Sequence, residues 1–336
     1  LRGSEGLAYI ALYWSAMVIG YYIGSKKRDH GDRFLKPTDV IMMASVSLLV
    51  FLMGIRMGSN EEVIRNLGTI GLQALLATVL LMAGAVLSVT VTRKLLHIDK
   101  WGRLEGHAIA KESAELEQYE KQEEEEEKSS NLMTWLILIF VVLGIFAGYF
   151  LVRVYIPDID GFNDKAGIIM TCGLTLLLGV IGFQMGIAGT VVEQLKLIGF
   201  RVLIFPVAVL IGTAVVGALM SLILPLTLRE SLAVSFGFGW YTFAPVAISN
   251  AGHVIASAVS FMHNVFREMG GIVLIPLLAK KIGYIEVTSL PGVAAMDIGL
   301  TLVEKATRPD IIVYSFAIGM SQSLLVPLLV PLVIGA

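Results

Sequence analysis

Eight stretches of this chain run for about 20 residues with hardly a charge: 6–25, 39–57, 68–91, 132–152, 166–187, 197–226, 254–279 and 311–334. A helix crossing about 30 Å of hydrocarbon needs roughly 20 apolar residues at ~1.5 Å each. Repeated eight times, that pattern dictates an all-α polytopic membrane protein. Composition agrees, with 56% apolar and 15% charged residues, where an ordinary soluble domain has about 45–50% and ~25%. Two further apolar stretches, 231–249 and 287–303, are broken by Phe236-Gly-Phe-Gly-Trp-Tyr-Thr-Phe-Ala-Pro245 and Leu290-Pro-Gly-Val-Ala-Ala-Met-Asp297. Irregular backbone survives at membrane depth only inside protein or beside a water-filled cavity. These segments are therefore expected to be broken or re-entrant helices.

The basic residues set the expected orientation. With eight alternating spans, 18 Lys and Arg fall on one side and 6 on the other, Arg267 lying within a span. The basic side is cytoplasmic by the positive-inside rule. This puts both termini on the extracellular or periplasmic face of the cytoplasmic (inner) membrane. Residues 93–131 then form a charged cytoplasmic loop, with the acidic run 112–128 as a solvated insert. The net charge of −2 gives no reason to expect nucleic acid as a partner. Cys172 is the single cysteine, and the five histidines form no His-Glu-x-x-His motif. Neither a metal site nor a cofactor is expected.

Shifting the chain by 128 residues lays the first three spans on the next three without a gap. Gly20-Tyr21 meets Gly148-Tyr149, and Gly54-Ile-Arg-Met-Gly58 meets Gly182-Phe-Gln-Met-Gly186. Gly71 and Gly84 meet Gly199 and Gly212. Three spans per unit is an odd number, so the second copy must enter the membrane from the opposite side. Inverted repeats with interrupted helices are an architecture of secondary transporters. The expected units are 1–92, a first three-span repeat; the loop 93–131; 132–226, the inverted repeat; and 227–336, two broken segments each followed by a full span and carrying the transport site.

Ionisable groups within spans cost about 2.5–3.5 kcal/mol on insertion scales and usually face a cavity with a task. Glu268 sits near the middle of the seventh apolar run, with Arg267 before it and Asn264 one turn back on its own face. Asp297 lies in the second broken segment, where it either binds or relays, or caps the following helix. Trp240, Tyr241 and Asn250 of the first broken segment offer walls for an organic cation, while such aromatics also populate membrane interfaces. Glu61, just past the second span, reads from the residues alone as a loop carboxylate.

Taken together, Phe51-Leu-Met-Gly-Ile55 with a carboxylate shortly after it, Phe238-Gly-Trp-Tyr241, Phe266-Arg-Glu268, Leu274-Ile-Pro-Leu277, Ala295-Met-Asp297 and Ser323-Leu-Leu-Val-Pro327 resemble the LysO lysine exporters. The resemblance implies an inner-membrane exporter of L-lysine driven by proton exchange, with two important membrane carboxylates falling on Glu268 and Glu61. This chain carries Thr242-Phe-Ala-Pro245 where the family usually has Ser and a Gly-containing turn, so the expected substrate is lysine or a close cationic amino acid. The other transporter reading is a proton- or sodium-coupled antiporter of inorganic cations. An enzyme is not expected, since no Gly-x-Gly-Asp or serine–lysine constellation accompanies the missing metal motif. Protons and the lipid bilayer complete the expected partners, and a homo-oligomer is compatible with such a chain.

Reporter fusions test the orientation. Fusions at the C-terminus should report an external location and fusions near Ser113 a cytoplasmic one. A cytoplasmic C-terminus would rule out eight alternating spans.

Overall fold

The computed structural model describes residues 2–28, 31–103, 137–189, 200–296 and 298–335. The acidic run 112–128 and Asp297 lie outside the described residues. Among the described residues, six helices are long and apolar enough to cross a membrane: Lys36–Ser59, Leu67–Leu95, Ile137–Tyr155, Gly161–Ile187, Val202–Met220 and Ile312–Ile334. They coincide with six of the eight apolar runs. The other two runs are helical as well, over Arg2–Ser25 and Val254–Ile282. The second of these combines helical length with His263, Asn264, Arg267 and Glu268, and so falls below the others in apolar character.

In chain order the helices are α1 (Arg2–Ser25), α2 (Gly31–Ser59), α3 (Glu61–Arg65), α4 (Leu67–Leu95), α5 (Ile137–Tyr155, with a π-helical turn at Gly148–Val152), α6 (Ile159–Ala188) and α7 (Phe200–Met220). They continue as α8 (Leu228–Ser235), α9 (Ala244–Asn250), α10 (Val254–Ile282), α11 (Tyr284–Val287), α12 (Ile298–Ala306) and α13 (Ile312–Ile334).

Lipid tails are as apolar as leucine, so helices in a bilayer associate through close packing of small residues rather than by escaping water. Glycines supply that packing at three crossings. Against α1, a Cβ on Gly182 would lie 2.1 Å from the Met17 carbonyl oxygen, and one on Gly186 2.2 Å from that of Tyr21. Residue numbers rise together across this contact, so α1 and α6 are parallel. The same holds for α2 and α5. A Cβ on Gly58 would lie 2.1 Å from the Ile145 oxygen, and one on Gly148 2.2 Å from that of Ile55. α4 and α7 instead cross antiparallel, with a Cβ on Gly212 3.0 Å from the Gly84 oxygen.

α10 runs parallel to α4. Thr78 Oγ1 is 3.0 Å from His263 Nδ1 in the middle of the pair. Beyond the end of α10, Arg93 Nε donates to Glu286 Oε1 at 2.5 Å. There the loop after α4 is tied down by Tyr284 N–H, which donates to the Lys100 carbonyl at 3.1 Å.

Both interruptions expected from Gly and Pro are present. α8 starts with a reciprocal cap: Thr227 Oγ1 accepts from Glu230 N–H while the Glu230 carboxylate accepts from Thr227 N–H. Burial pushes the Glu230 carboxyl up. Hydrogen bonds from the Thr227 backbone, His253 and the Thr227 hydroxyl outweigh that effect and hold it below its ordinary value. α8 stops at Phe236, and Phe238 (φ 47°) and Gly239 (φ 89°) turn the chain through the left-handed region before α9 begins with Pro245 in its first turn. The second interruption follows α11, where Gly292 takes φ 73° and opens a 3₁₀ turn over Gly292–Met296. The two meet: Val293 N–H donates to the Phe238 carbonyl at 2.8 Å.

The glycine packing gives a direct test. Gly182→Leu or Gly58→Leu forces a side chain into a backbone carbonyl, which should exceed the roughly 1–3 kcal/mol of ordinary overpacking. Either variant should lose the monodisperse folded peak in detergent on heating well before the parent. Gly68→Ala, where a Cβ meets nothing within 4 Å, should behave as the parent. A Gly182→Leu variant with parental thermal stability would contradict the packing.

Candidate functional site

The crossing of the two interrupted segments is organised around one side chain. Arg267, on α10, is fully buried. Its Nε donates to the Leu290 carbonyl and its Nη2 to the Ser289 carbonyl, both at 3.3 Å. Its guanidinium stands 5.6 Å from the centre of the Phe238 ring. Those contacts exist because α11 ends two residues earlier, leaving carbonyls without helical partners. They also need glycines at 239 and 292, since a Cβ on Gly292 would lie 1.9 Å from the Phe238 oxygen and 3.3 Å from Arg267 Nε. Nη1 has no hydrogen-bond partner among the described residues, and none of their carboxylates forms an ion pair with this guanidinium. A buried, unpaired charge costs several kcal/mol. An anionic ligand would offset that cost, and Nη1 is the donor available to bind it.

Asn264 braces this arrangement. Its Oδ1 accepts from Gly239 N–H at 2.7 Å, while Nδ2 donates to the Ser260 carbonyl at 2.8 Å and reaches Ser260 Oγ at 3.0 Å. The amide the sequence singled out as a candidate site residue thus also holds the first interruption against α10. His263 is fully buried one turn before Arg267. The Thr78 hydroxyl lies 2.7 Å from the Ala74 carbonyl and 3.3 Å from that of His263, beside the imidazole Nδ1. The imidazole Nε2 is left unpartnered among the described residues. Glu268 follows Arg267 on α10, rotated by about 100°, and is partly buried.

The other expected residues spread along the molecule. Trp240 and Tyr241 lie beside the crossing, packed on Phe243 and Phe261 at ring separations of 5.4 and 6.4 Å. Glu61 is far from it. Its side chain is 50% exposed and pairs with Arg65 and, at 3.3 Å, with Arg153. Gly270, two residues past Glu268, packs at the level of Met82. Met82 is about 15 residues, or roughly 22 Å, along α4 from the Leu67 end next to Glu61. Glu61 and Glu268 therefore do not share one site. Asn250 belongs elsewhere again, its Nδ2 donating to Thr171 Oγ1 of α6 at 2.7 Å.

Sequence reasoning passed over the Ser289 and Leu290 carbonyls, Gln322 and Arg56. Gln322 is 2% exposed, with both amide atoms unpartnered among the described residues. Arg56 is 8% exposed near the end of α2. The rule that intramembrane charges mark function points to Arg56 once it is placed inside the span rather than at its outer border.

Residues 138–334 match the family model described as lysine exporter LysO. "Lysine exporter LysO" of Escherichia coli (strain K12) is 32% identical over 158 residues, covering 47% of this chain and 52% of that protein. "Putative lysine exporter" of Haemophilus influenzae (strain ATCC 51907 / DSM 11121 / KW20 / Rd) is 31% identical over 128 residues, covering 38% and 62%. The chain thus spans about half to three-fifths of the length of these relatives. The family match covers more than half of the chain and takes in α10, both interruptions and the buried arginine between them, so the chain belongs to the LysO lysine exporter family.

Proposed function

We propose that this protein exports L-lysine or a close cationic amino acid across the cytoplasmic membrane, in exchange for protons. The observation that carries the reading is the buried Arg267 guanidinium, without a carboxylate partner among the described residues, at the meeting point of two interrupted segments. A lysine α-carboxylate would take Nη1 and neutralise the arginine. Glu268 would hold an ammonium group of the substrate, and a proton once the substrate has left. Asp297, next in sequence to the 3₁₀ turn at the crossing, would contribute a second carboxylate, and Trp240 and Tyr241 would flank the aliphatic chain. Glu61, which pairs with Arg65 and Arg153, would act away from this crossing, where a passing substrate ammonium would have to displace an arginine. The names of the relatives support lysine as substrate. An exchanger of inorganic cations is the weaker reading, because a fixed buried cation repels such ions.

We further propose that residues 1–92 and 132–226 are inverted repeats. The supporting observations are the two parallel glycine-packed pairs, which exchange partners between the halves, and the antiparallel crossing at Gly84 and Gly212, which are equivalent under the 128-residue shift. A two-fold axis in the membrane plane would pass between those two glycines and leave the site on one repeat-bound flank, free to open to either side.

Efflux from preloaded proteoliposomes tests the transport reading. Lysine, and to a lesser degree arginine and ornithine, should exit faster when the outside is acidified, whereas a sodium gradient should have no effect. Cadaverine, which is lysine without its carboxylate, should exit at least tenfold more slowly. Glu268→Gln should assemble normally and lose the proton dependence, with Glu268→Asp keeping a remnant. Full proton-linked export by the Gln variant would leave Glu268 as a packing residue, and cadaverine moving as fast as lysine would remove the role of Arg267.

A further inference from the structure

A second buried guanidinium lies away from the crossing. Arg56 is one turn from the end of α2, about 11 residues or roughly 16 Å in depth from that helix's midpoint. Its Nη1 reaches only a sulfur among the described residues, Met170 Sδ of α6 at 3.8 Å. Its Nε is buried and unpartnered among the described residues. Asp164 of α6 follows Asn163 in sequence, and no carboxylate of the described residues forms an ion pair with Arg56. Asn163, Gly167, Met170 and Thr171 recur at helical spacing and so share one face of α6. That face meets α2 through Met170 and α9 through Thr171, whose hydroxyl accepts from Asn250 Nδ2. The Asn163 Oδ1 atom is also buried and unpartnered among the described residues.

An unpartnered cationic donor on α2 and an unpartnered neutral acceptor on the adjoining face of α6, next in sequence to a carboxylate, lie on helices that meet one another and α9, and together they match the head group of an α-amino acid. We propose that Arg56 and Asn163 form a second station for the substrate, between the crossing and the end of the molecule that carries Glu61. The substrate carboxylate accepts from Arg56 Nε, and its α-ammonium donates to Asn163 Oδ1 in the field of Asp164. This rests on the reading that the protein carries an amino acid.

The opposite end argues against a purely structural arginine. In the 128-residue alignment Arg56 corresponds to Gln184, within the same Gly-x-x-Met-Gly frame. Gln184 Nε2 donates to Asp39 Oδ1 at 2.7 Å and to Thr38 Oγ1 at 3.3 Å, so the equivalent position is filled by a neutral, satisfied amide. Helix packing in this frame does not require a charge. Arginine at one end only, and left unsatisfied there, is what a ligand explains.

Equilibrium binding of radiolabelled L-lysine to the purified protein in lipid nanodiscs tests the station. The parent should bind two lysines per chain and Arg56→Gln one. Arg56→Lys should keep both with the second weakened at least tenfold, because an ammonium lacks the planar fork. Cadaverine should fail to displace lysine from the station lost in Arg56→Gln. Where Arg56→Gln does not assemble, Asn163→Leu removes the acceptor without altering charge and should lose the same site. One saturable lysine per chain, bound unchanged by Arg56→Gln or Asn163→Leu, overturns the station and leaves lysine export standing. If lysine does not bind the parent, the lysine reading falls, and titration with the other nineteen amino acids decides the station: a site lost in the Arg56 variant supports it, and none overturns it.

Discussion

One hydrogen bond, from Val293 N–H to the Phe238 carbonyl, makes the centre of this molecule possible. Breaking a helix within a bilayer exposes backbone donors and acceptors that lipid cannot satisfy. Breaking two helices and laying the breaks against each other lets each supply what the other lacks. The Asn264 amide and the Arg267 guanidinium complete the exchange, accepting from Gly239 N–H and donating to the Ser289 and Leu290 carbonyls. The glycines at 239 and 292 follow from the same requirement, because the two backbones approach too closely for a side chain and turn with positive φ. A polar crossroads is thereby set inside an otherwise apolar bundle.

That crossroads explains why a permanent charge is tolerated there. Arginine stays protonated across the physiological range, so its burial cannot be relieved by losing a proton. Carbonyl dipoles and the face of the Phe238 ring share the guanidinium between them and leave one nitrogen over. Carbonyls lower the cost of holding the cation without neutralising it, which keeps it able to attract an anion. A full ion pair in the same position would have ended that attraction.

The spans were legible because length and apolarity are local properties, and both interruptions were legible because Gly and Pro announce them. Partner choice was not. Gly20, Gly54, Gly58, Gly182 and Gly186 stood out as a repeat, yet nothing in the sequence says that α1 lies along α6 and α2 along α5. The candidate site shows the same limit. Glu268 and Arg267 are adjacent in sequence, and only the helix phase, about 100° per residue, decides which one points at the crossing. The sequence drew attention to the carboxylate, whereas the geometry sets the guanidinium at the centre. Asn264 stood out as a polar residue in a span, and its hydrogen bond to Gly239 N–H, on a backbone no pattern could place, was not legible. The hydrogen bond from Asn250 to Thr171 of α6 was equally beyond the sequence. Glu61 reads from the residues as a surface carboxylate, and the structure gives it surface partners.

The pairing of α1 with α6 reaches beyond the finished structure to the way the chain is made. A ribosome adds about 5–20 residues per second, so roughly 10–30 s separate the emergence of Gly20 from that of Gly179, the residue whose carbonyl it abuts. During that interval the first helix has no permanent companion along its small-residue face. α2 waits similarly for α5. Insertion of the early helices and their final association are therefore separate events, and the nascent first half must be sheltered, by lipid or by the insertion machinery, until the second half arrives to claim it.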